Sequence, residues 1–207
     1  MEPWLQYVAR LPNTGGLMNK KVVIRNVCEI YTKRLDLATQ MRAQGGASSR
    51  APRADTIFDS VTLAFRGASG ADEGADAAMN EFLCSCRNFF DDDQKLGLFC
   101  RFTGMAGSNL AVDAFHFFID VIDSIRRLLG INWRTISSEW EGGPACLPYN
   151  CVLDVLCNVY NTNAPEKTPI SAQVAELKKD GKLGVSVDLD TFLEILVAEY
   201  ENQTVPV

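Results

Sequence analysis

Asp180, Lys182, Gly184 and Thr191 stand at positions 1, 3, 5 and 12 of a twelve-residue frame, Asp180-Gly-Lys-Leu-Gly-Val-Ser-Val-Asp-Leu-Asp-Thr191. The frame carries an apolar residue, Val187, at position 8 and leads into Phe192-Leu-Glu-Ile-Leu. Its layout is that of a calcium loop, where about six to eight oxygens surround the ion, carboxylates or amides lie near the first, third and fifth positions, and a bidentate Glu closes the loop. Lys182 puts a cation where an anion belongs, and Thr191 supplies no bidentate carboxylate. The frame keeps the outline of a calcium loop without its ligands, so no metal is expected there.

Other residues capable of chemistry are not arranged for it. The seven cysteines, Cys28, Cys84, Cys86, Cys100, Cys146, Cys151 and Cys157, are odd in number and lie mostly among apolar neighbours. This suits a reducing compartment, where buried thiols behave as small hydrophobes. Cys84 and Cys86 form a C-x-C, whose side chains diverge on a helix, and no C-x-x-C or His pair completes a zinc set. His116, the only histidine, lies between aromatic residues in Ala114-Phe-His-Phe-Phe and reads as structural. It is also the one side chain that ordinarily titrates near neutrality, and nothing in the sequence pairs it with a thiol or hydroxyl to activate. Asp91-Asp-Asp93 precedes an apolar helical pattern, where acids complement the positive end of the helix. The carboxylate pairs Glu139/Glu141 and Asp188/Asp190 have no aromatic cleft, and no glycine-rich phosphate loop is present. The chain is read as non-catalytic, without a cofactor.

What must position such residues is a recurring unit. Leu147 can serve as the central apolar residue between Trp140-Glu-Gly-Gly-Pro-Ala-Cys and the helical pattern Tyr149 to Tyr160, and Leu110 between Gly104-Met-Ala-Gly-Ser-Asn and Ala111 to Ile122. Leu110, Leu147 and Val187 are 37 and 40 residues apart. A period of this size fits one helix, loop and helix per unit. Further helices are expected over 56–66, 75–90 and 94–102, and over 110–129, where Phe115, Phe117, Phe118, Ile119, Val121, Ile122, Ile125, Leu128 and Leu129 predict a central core helix edged by Asp113, Asp120 and Asp123. Asp55 is the expected cap of the first of these. Trp133 and Trp140 are expected to close over the core. Strand signals are confined to 183–187 and 146–147, enough for a short two-stranded bridge.

The N-terminal quarter differs in charge. Residues 1–53 carry nine Lys/Arg against three acids, a balance of +6, leaving eleven against twenty-three, or −12, for 54–207. Val23, Val27, Ile30, Arg34, Leu37 and Met41 recur every three or four residues and predict a long helix from Leu17 to about Gln44. Gly45-Gly-Ala-Ser-Ser-Arg-Ala-Pro-Arg53 reads as a flexible linker. Two domains are therefore expected: a basic arm, helix and linker at 1–53 and an acidic helical domain at 54–207. The cations Lys20, Lys21, Arg25, Lys33 and Arg34 are the candidate partner-binding residues, suited to a polyanionic surface. With 47% hydrophobic residues and no tract near the roughly 20 apolar residues of a membrane span, a soluble intracellular protein without a cleaved leader is expected.

These units resemble the EF-hand superfamily in degenerate form over residues 74–203. The resemblance implies an all-α fold of paired helix-loop-helix units joined by a short two-stranded bridge, preceded by the long N-terminal helix. The segment Glu81-Phe-Leu-Cys-Ser-Cys-Arg-Asn-Phe-Phe-Asp-Asp-Asp-Gln-Lys-Leu-Gly-Leu-Phe-Cys-Arg-Phe-Thr-Gly104, with Ala114-Phe-His-Phe-Phe-Ile-Asp-Val-Ile, is similar to a helical stretch of ciliary and flagellar axonemal proteins. That resemblance implies a structural or docking role in an axoneme, at a radial spoke or on doublet microtubules, with tubulin or other axonemal proteins as partners. The alternatives are a calcium-responsive EF-hand regulator and a helical RNA-binding or mitoribosomal subunit. The first lacks loop charges, and the second lacks cation density across the body. Neither membrane nor nucleic acid is an expected partner.

Overall fold

Val23, Val27, Tyr31 and Leu35 are each no more than 1% exposed, with Ile24 and Cys28 buried beside them, so one side of the first helix is apolar at a spacing of four. This is α1, Lys20–Ala43. Asn19 starts it: its Oδ1 accepts the Lys21 backbone N–H at 3.0 Å, and its carbonyl accepts from Val22 and Val23. The computed structural model describes residues 17–43, 57–66, 73–106, 112–181 and 184–204. The chain divides into two compact units, residues 1–115 and 116–207. The boundary expected in the linker at 53/54 lies outside the described residues, as do Asp55 and Leu110.

In the first unit α1 packs against α2 (Ile57–Arg66), α3 (Glu73–Phe89) and α4 (Gln94–Phe102), so the predicted seam docks within its own chain. The core is aromatic. Tyr31 meets the edge of Phe99 at a centroid distance of 6.2 Å, Phe99 meets Phe82 at 5.7 Å, and Phe82 meets Phe65 at 5.1 Å. Burying such a side chain contributes roughly 1.5–3 kcal/mol. Asp93 caps α4, its carboxylate accepting the N–H groups of Lys95 and Leu96. The capping expected of the aspartate run therefore resides in Asp93. Gly104, at φ 73°, takes the left-handed conformation just past the helix end, where a side chain would be strained.

The long apolar helix is α5, Val112–Leu129. Phe115, Phe118, Ile119, Val121, Ile122 and Ile125 are buried as expected, whereas Leu128 is 41% exposed. Asp123, expected on a solvated edge, is 1% exposed. Its carboxylate takes Arg127 Nε at 3.0 Å and lies 3.7 Å from an Arg126 nitrogen, and this pairing offsets the cost of burying a charge.

In the second unit a 3-10 turn, Gly130–Asn132, leads into α6 (Trp133–Gly142), β1 (Cys146–Pro148) and α7 (Tyr149–Val159). A second 3-10 turn at Pro165–Lys167 precedes α8 (Ser171–Glu176), β2 (Lys179–Gly181), β3 (Gly184–Asp188) and α9 (Leu189–Thr204). The strands form an antiparallel sheet in the order β1-β3-β2. Three strands thus replace the expected two, because Lys179–Gly181 folds back on β3, a hairpin that no β-branched or aromatic run announced. Leu147 lies directly opposite Val187, and both are fully buried. The two strands that carry them run straight into helices, β1 into α7 and β3 into α9. Trp140 is 3% exposed, while Trp133 packs at 6.5 Å against it and stays half-buried. The fold is mostly helical with one small sheet.

Candidate functional site

Two sets of residues bear on function, one in each unit. In the second unit the 180–191 frame does not wrap around an empty centre. Asp180 lies exposed on β2 and pairs with Val185, and Gly181 pairs with Gly184, so the described residues in the first half of the frame are held in antiparallel strand pairing. Lys182 lies outside the described residues. Gly184, at φ 104°, occupies a conformation few L side chains reach, which accounts for glycine at this hairpin position.

The second half is engaged just as fully. Asp188 Oδ1 accepts the Thr191 N–H at 2.9 Å and the Thr191 hydroxyl at 2.8 Å, which makes it the N-terminal cap of α9. Asp190 Oδ1 accepts the indole N–H of Trp140 at 2.6 Å, in a site where Asp190 is 8% exposed. The carboxylates of the frame therefore serve a strand edge, a cap and a buried indole, and they do not converge. Among the described residues no group of three or more His, Cys, Asp or Glu side chains could hold a metal ion.

The candidate partner-binding cations lie on α1 and do not form one patch. Lys20 donates to the Asp92 carbonyl at 2.9 Å, with its ammonium 3.8 Å from the Asp92 carboxylate. Lys33 pairs with Glu29 at 2.9 Å and reaches the Ala64 carbonyl at 3.4 Å. Arg34, expected to be exposed, is 3% exposed. With Ile30, Lys33, Leu37, Asp59, Ser60 and Leu63 it lines a small cavity of about 50 Å³. The correction has a simple geometric cause: Arg34 follows Ile30 by four residues and Val27 by seven, so it shares their inward face. Lys21 and Arg25, four residues apart, remain exposed, and Glu29 and Asp36 continue the outward face with opposite sign.

Most of the residues that carry the axonemal resemblance, 81–104 with Ala114 and Phe115, belong to the first unit, and 116–122 belong to the second. Leu96, Leu98, Phe99 and Phe102 are 0–7% exposed. Phe102 meets Phe115 at 5.4 Å, and Gly104 supplies the turn after α4. The pattern is a packing pattern, and it speaks to how the unit is built more than to what it touches.

The cysteines divide by depth. Cys28, Cys86, Cys100 and Cys151 are buried, Cys84 and Cys157 half-buried, and Cys146 exposed, all as free thiols. Burial pushes the Cys100 thiol up to about 12 against a small opposing effect of Arg87. It pushes Cys151 up to about 11, with Asp154 adding to the shift. Cys86 is raised by burial and by Cys100. These are inert thiols, the opposite of an activated nucleophile.

Sequence reasoning missed the Trp140–Asp190 bond, whose partners are 50 residues apart with no local signal. It also missed a groove of about 450 Å³ lined by Tyr149, Leu153 and Leu156 of α7 and Ala172 and Ala175 of α8. No helix among the described residues is long and apolar enough to cross a membrane. Comparison of the chain with protein-family models, with curated proteins and with solved structures gives no match.

Proposed function

We propose that this protein is a non-catalytic structural or adaptor protein, built on degenerate EF-hand-like helix pairs, that docks in a large cytoskeletal assembly, the flagellar axoneme foremost. The observation that carries the EF-hand-like part is the register that sets Leu147 opposite Val187, each followed at once by a helix. Paired EF-hand loops join through a short bridge at their central apolar residues, and the two frames were defined by these same positions. The β2–β3 pairing and the engagement of Asp188 and Asp190 speak against calcium responsiveness. The axonemal part rests on the resemblance of residues 81–122, and docking rests on the exposed pair Lys21 and Arg25 facing an anionic partner surface.

The test is the position of a fluorescently tagged copy in detergent-extracted flagellated cells. Retention along the flagellum is the expected outcome, and Lys21→Glu with Arg25→Glu is expected to reduce it. A diffuse, fully extractable signal rejects the axonemal reading. Retention unchanged by the double reversal rejects the cationic anchor alone.

A further inference from the structure

Asp180-Gly181 is the one Asp-Gly step in the sequence, and no Asn-Gly step occurs. An aspartate before glycine has a reaction of its own, because with no side chain on the next residue that residue's backbone nitrogen can reach the aspartate Cγ. Three conditions favour it: a glycine in the next position, a carboxylate that nothing holds, and a backbone able to leave its regular conformation. The sequence supplies the first. The structure supplies the second, since Asp180 is exposed opposite the 42%-exposed Val185, and among the described residues no hydrogen bond or ion pair engages its carboxylate. The other two carboxylates of the calcium-like frame are engaged, Asp188 as the cap of α9 and Asp190 with the Trp140 indole.

The third condition comes from topology. In the order β1-β3-β2, β2 lies at the edge of the sheet, is three residues long, and ends at Gly181, paired with Gly184. Regular strand geometry keeps the Gly181 nitrogen away from Cγ, so the reaction starts from a locally opened backbone. The last pair of a short edge strand opens at low cost compared with the core of a unit. The two Asp-Ser steps of the chain, Asp59-Ser60 and Asp123-Ser124, lie inside α2 and α5, and Asp123 is ion-paired as well. Helical pairing on either side holds their backbone closed.

We propose that Asp180 converts spontaneously to isoaspartate in the folded protein, and that the product is a substrate for a carboxyl methyltransferase using S-adenosylmethionine. The Gly181 nitrogen bonds to Asp180 Cγ, and the hydroxyl of the protonated carboxyl leaves with the amide proton as water, giving a five-membered succinimide. Water then opens the ring. Addition at Cγ restores aspartate. Addition at the Asp180 backbone carbonyl breaks its bond to the Gly181 nitrogen, leaves the chain running through Cγ, and frees an α-carboxylate. No oxidant or reductant takes part. An oxygen of that carboxylate accepts the methyl group from the sulfonium of S-adenosylmethionine, which leaves as the thioether. Isoaspartate lengthens the main chain by one carbon, so Gly181 loses its register with Gly184 and β2 separates from β3, while Leu147 and Val187 on the other side of β3 stay paired. The inference does not rest on the axonemal reading.

The full folded chain, held for several weeks at physiological temperature and neutral pH, tests it. Samples taken over time are given an isoaspartate-directed carboxyl methyltransferase and S-adenosylmethionine with a labelled methyl group. Label is expected to rise with storage, and peptide mapping by mass spectrometry to place it at residue 180. Asp180→Glu, which would need a six-membered ring, is expected to lose the label. Gly181→Ala, which hinders the attacking nitrogen, is expected to slow its appearance and serves as the second variant should Asp180→Glu change the melting temperature. Label that never exceeds that of fresh protein, label unchanged by both substitutions, or label mapped to another residue overturns the proposal. So does label that appears only in chain stored in urea, since the β2–β3 pairing then protects the site.

Discussion

Thr191 shows why the calcium frame is silent. Its hydroxyl donates to Asp188, so the position that would close a calcium loop is spent on capping α9. Restoring one carboxylate should therefore not restore binding. Calorimetric titration of Thr191→Glu with millimolar calcium is expected to give no binding heat, as for the wild type, because Asp188 and Asp190 stay engaged and the β2–β3 ladder holds the backbone away from an ion. Micromolar binding by either protein contradicts this account. Trp140 and Asp190 allow a sharper test. Trp140→Phe keeps an aromatic ring in place but removes the indole donor to a nearly buried carboxylate along with part of the buried ring, and it is expected to cost about 1–3 kcal/mol or more in urea unfolding. Asp190→Asn, which keeps an acceptor oxygen, should cost less. A larger loss from Asp190→Asn than from Trp140→Phe assigns the carboxylate a more important partner than the indole.

At the scale of the element, the β1–β3 pair is short but central. Three residues of β1 face β3, and the buried pair Leu147/Val187 lies where both strands turn into their helices. Leu147→Ala and Val187→Ala are each expected to lower stability by about 2–4 kcal/mol, since both remove methyl groups from fully buried positions. Being directly opposite, they should be non-additive in a double-mutant cycle. Additive losses would mean that the two side chains do not share one packing site. Helix α1 makes a related point. Its three-and-four spacing was visible in the sequence, whereas its partner was not: the seam is covered by α2, α3 and α4 of the same chain, so reversal of Lys21 and Arg25 is a surface change.

For the whole molecule, the thiols set a pH window. Burial raises Cys100 to about 12 and Cys151 to about 11, and raises Cys86 as well, from an ordinary value near 9. The folded protein then holds protons that the unfolded chain releases. The corresponding stability is complete below about pH 9 and falls as pH rises through 11 toward 12. Urea unfolding between pH 8 and 11 is expected to show a declining midpoint above pH 9, and Cys100→Ala with Cys151→Ala should flatten that decline relative to each variant's own value at pH 8. At pH 8 a thiol reagent should label Cys146 first, because it is exposed. Rapid labelling of Cys100 or Cys151 in the folded protein contradicts their burial.

Local order was written in the sequence: helices over 20–43 and 112–129 follow from apolar residues at spacings of three and four, and the cap at Asp93 from an acid before an apolar run. The positions of Leu147 and Val187 were likewise readable, because a central apolar residue between a turn and a helix is a local pattern. The pairing of those two residues, the inward turn of Arg34, the burial of Asp123 and the bond from Trp140 to Asp190 were settled only by the tertiary structure. Helical periodicity records which face of an element is apolar. It does not record which distant element covers that face, and a charged side chain's depth depends on the partner it meets there.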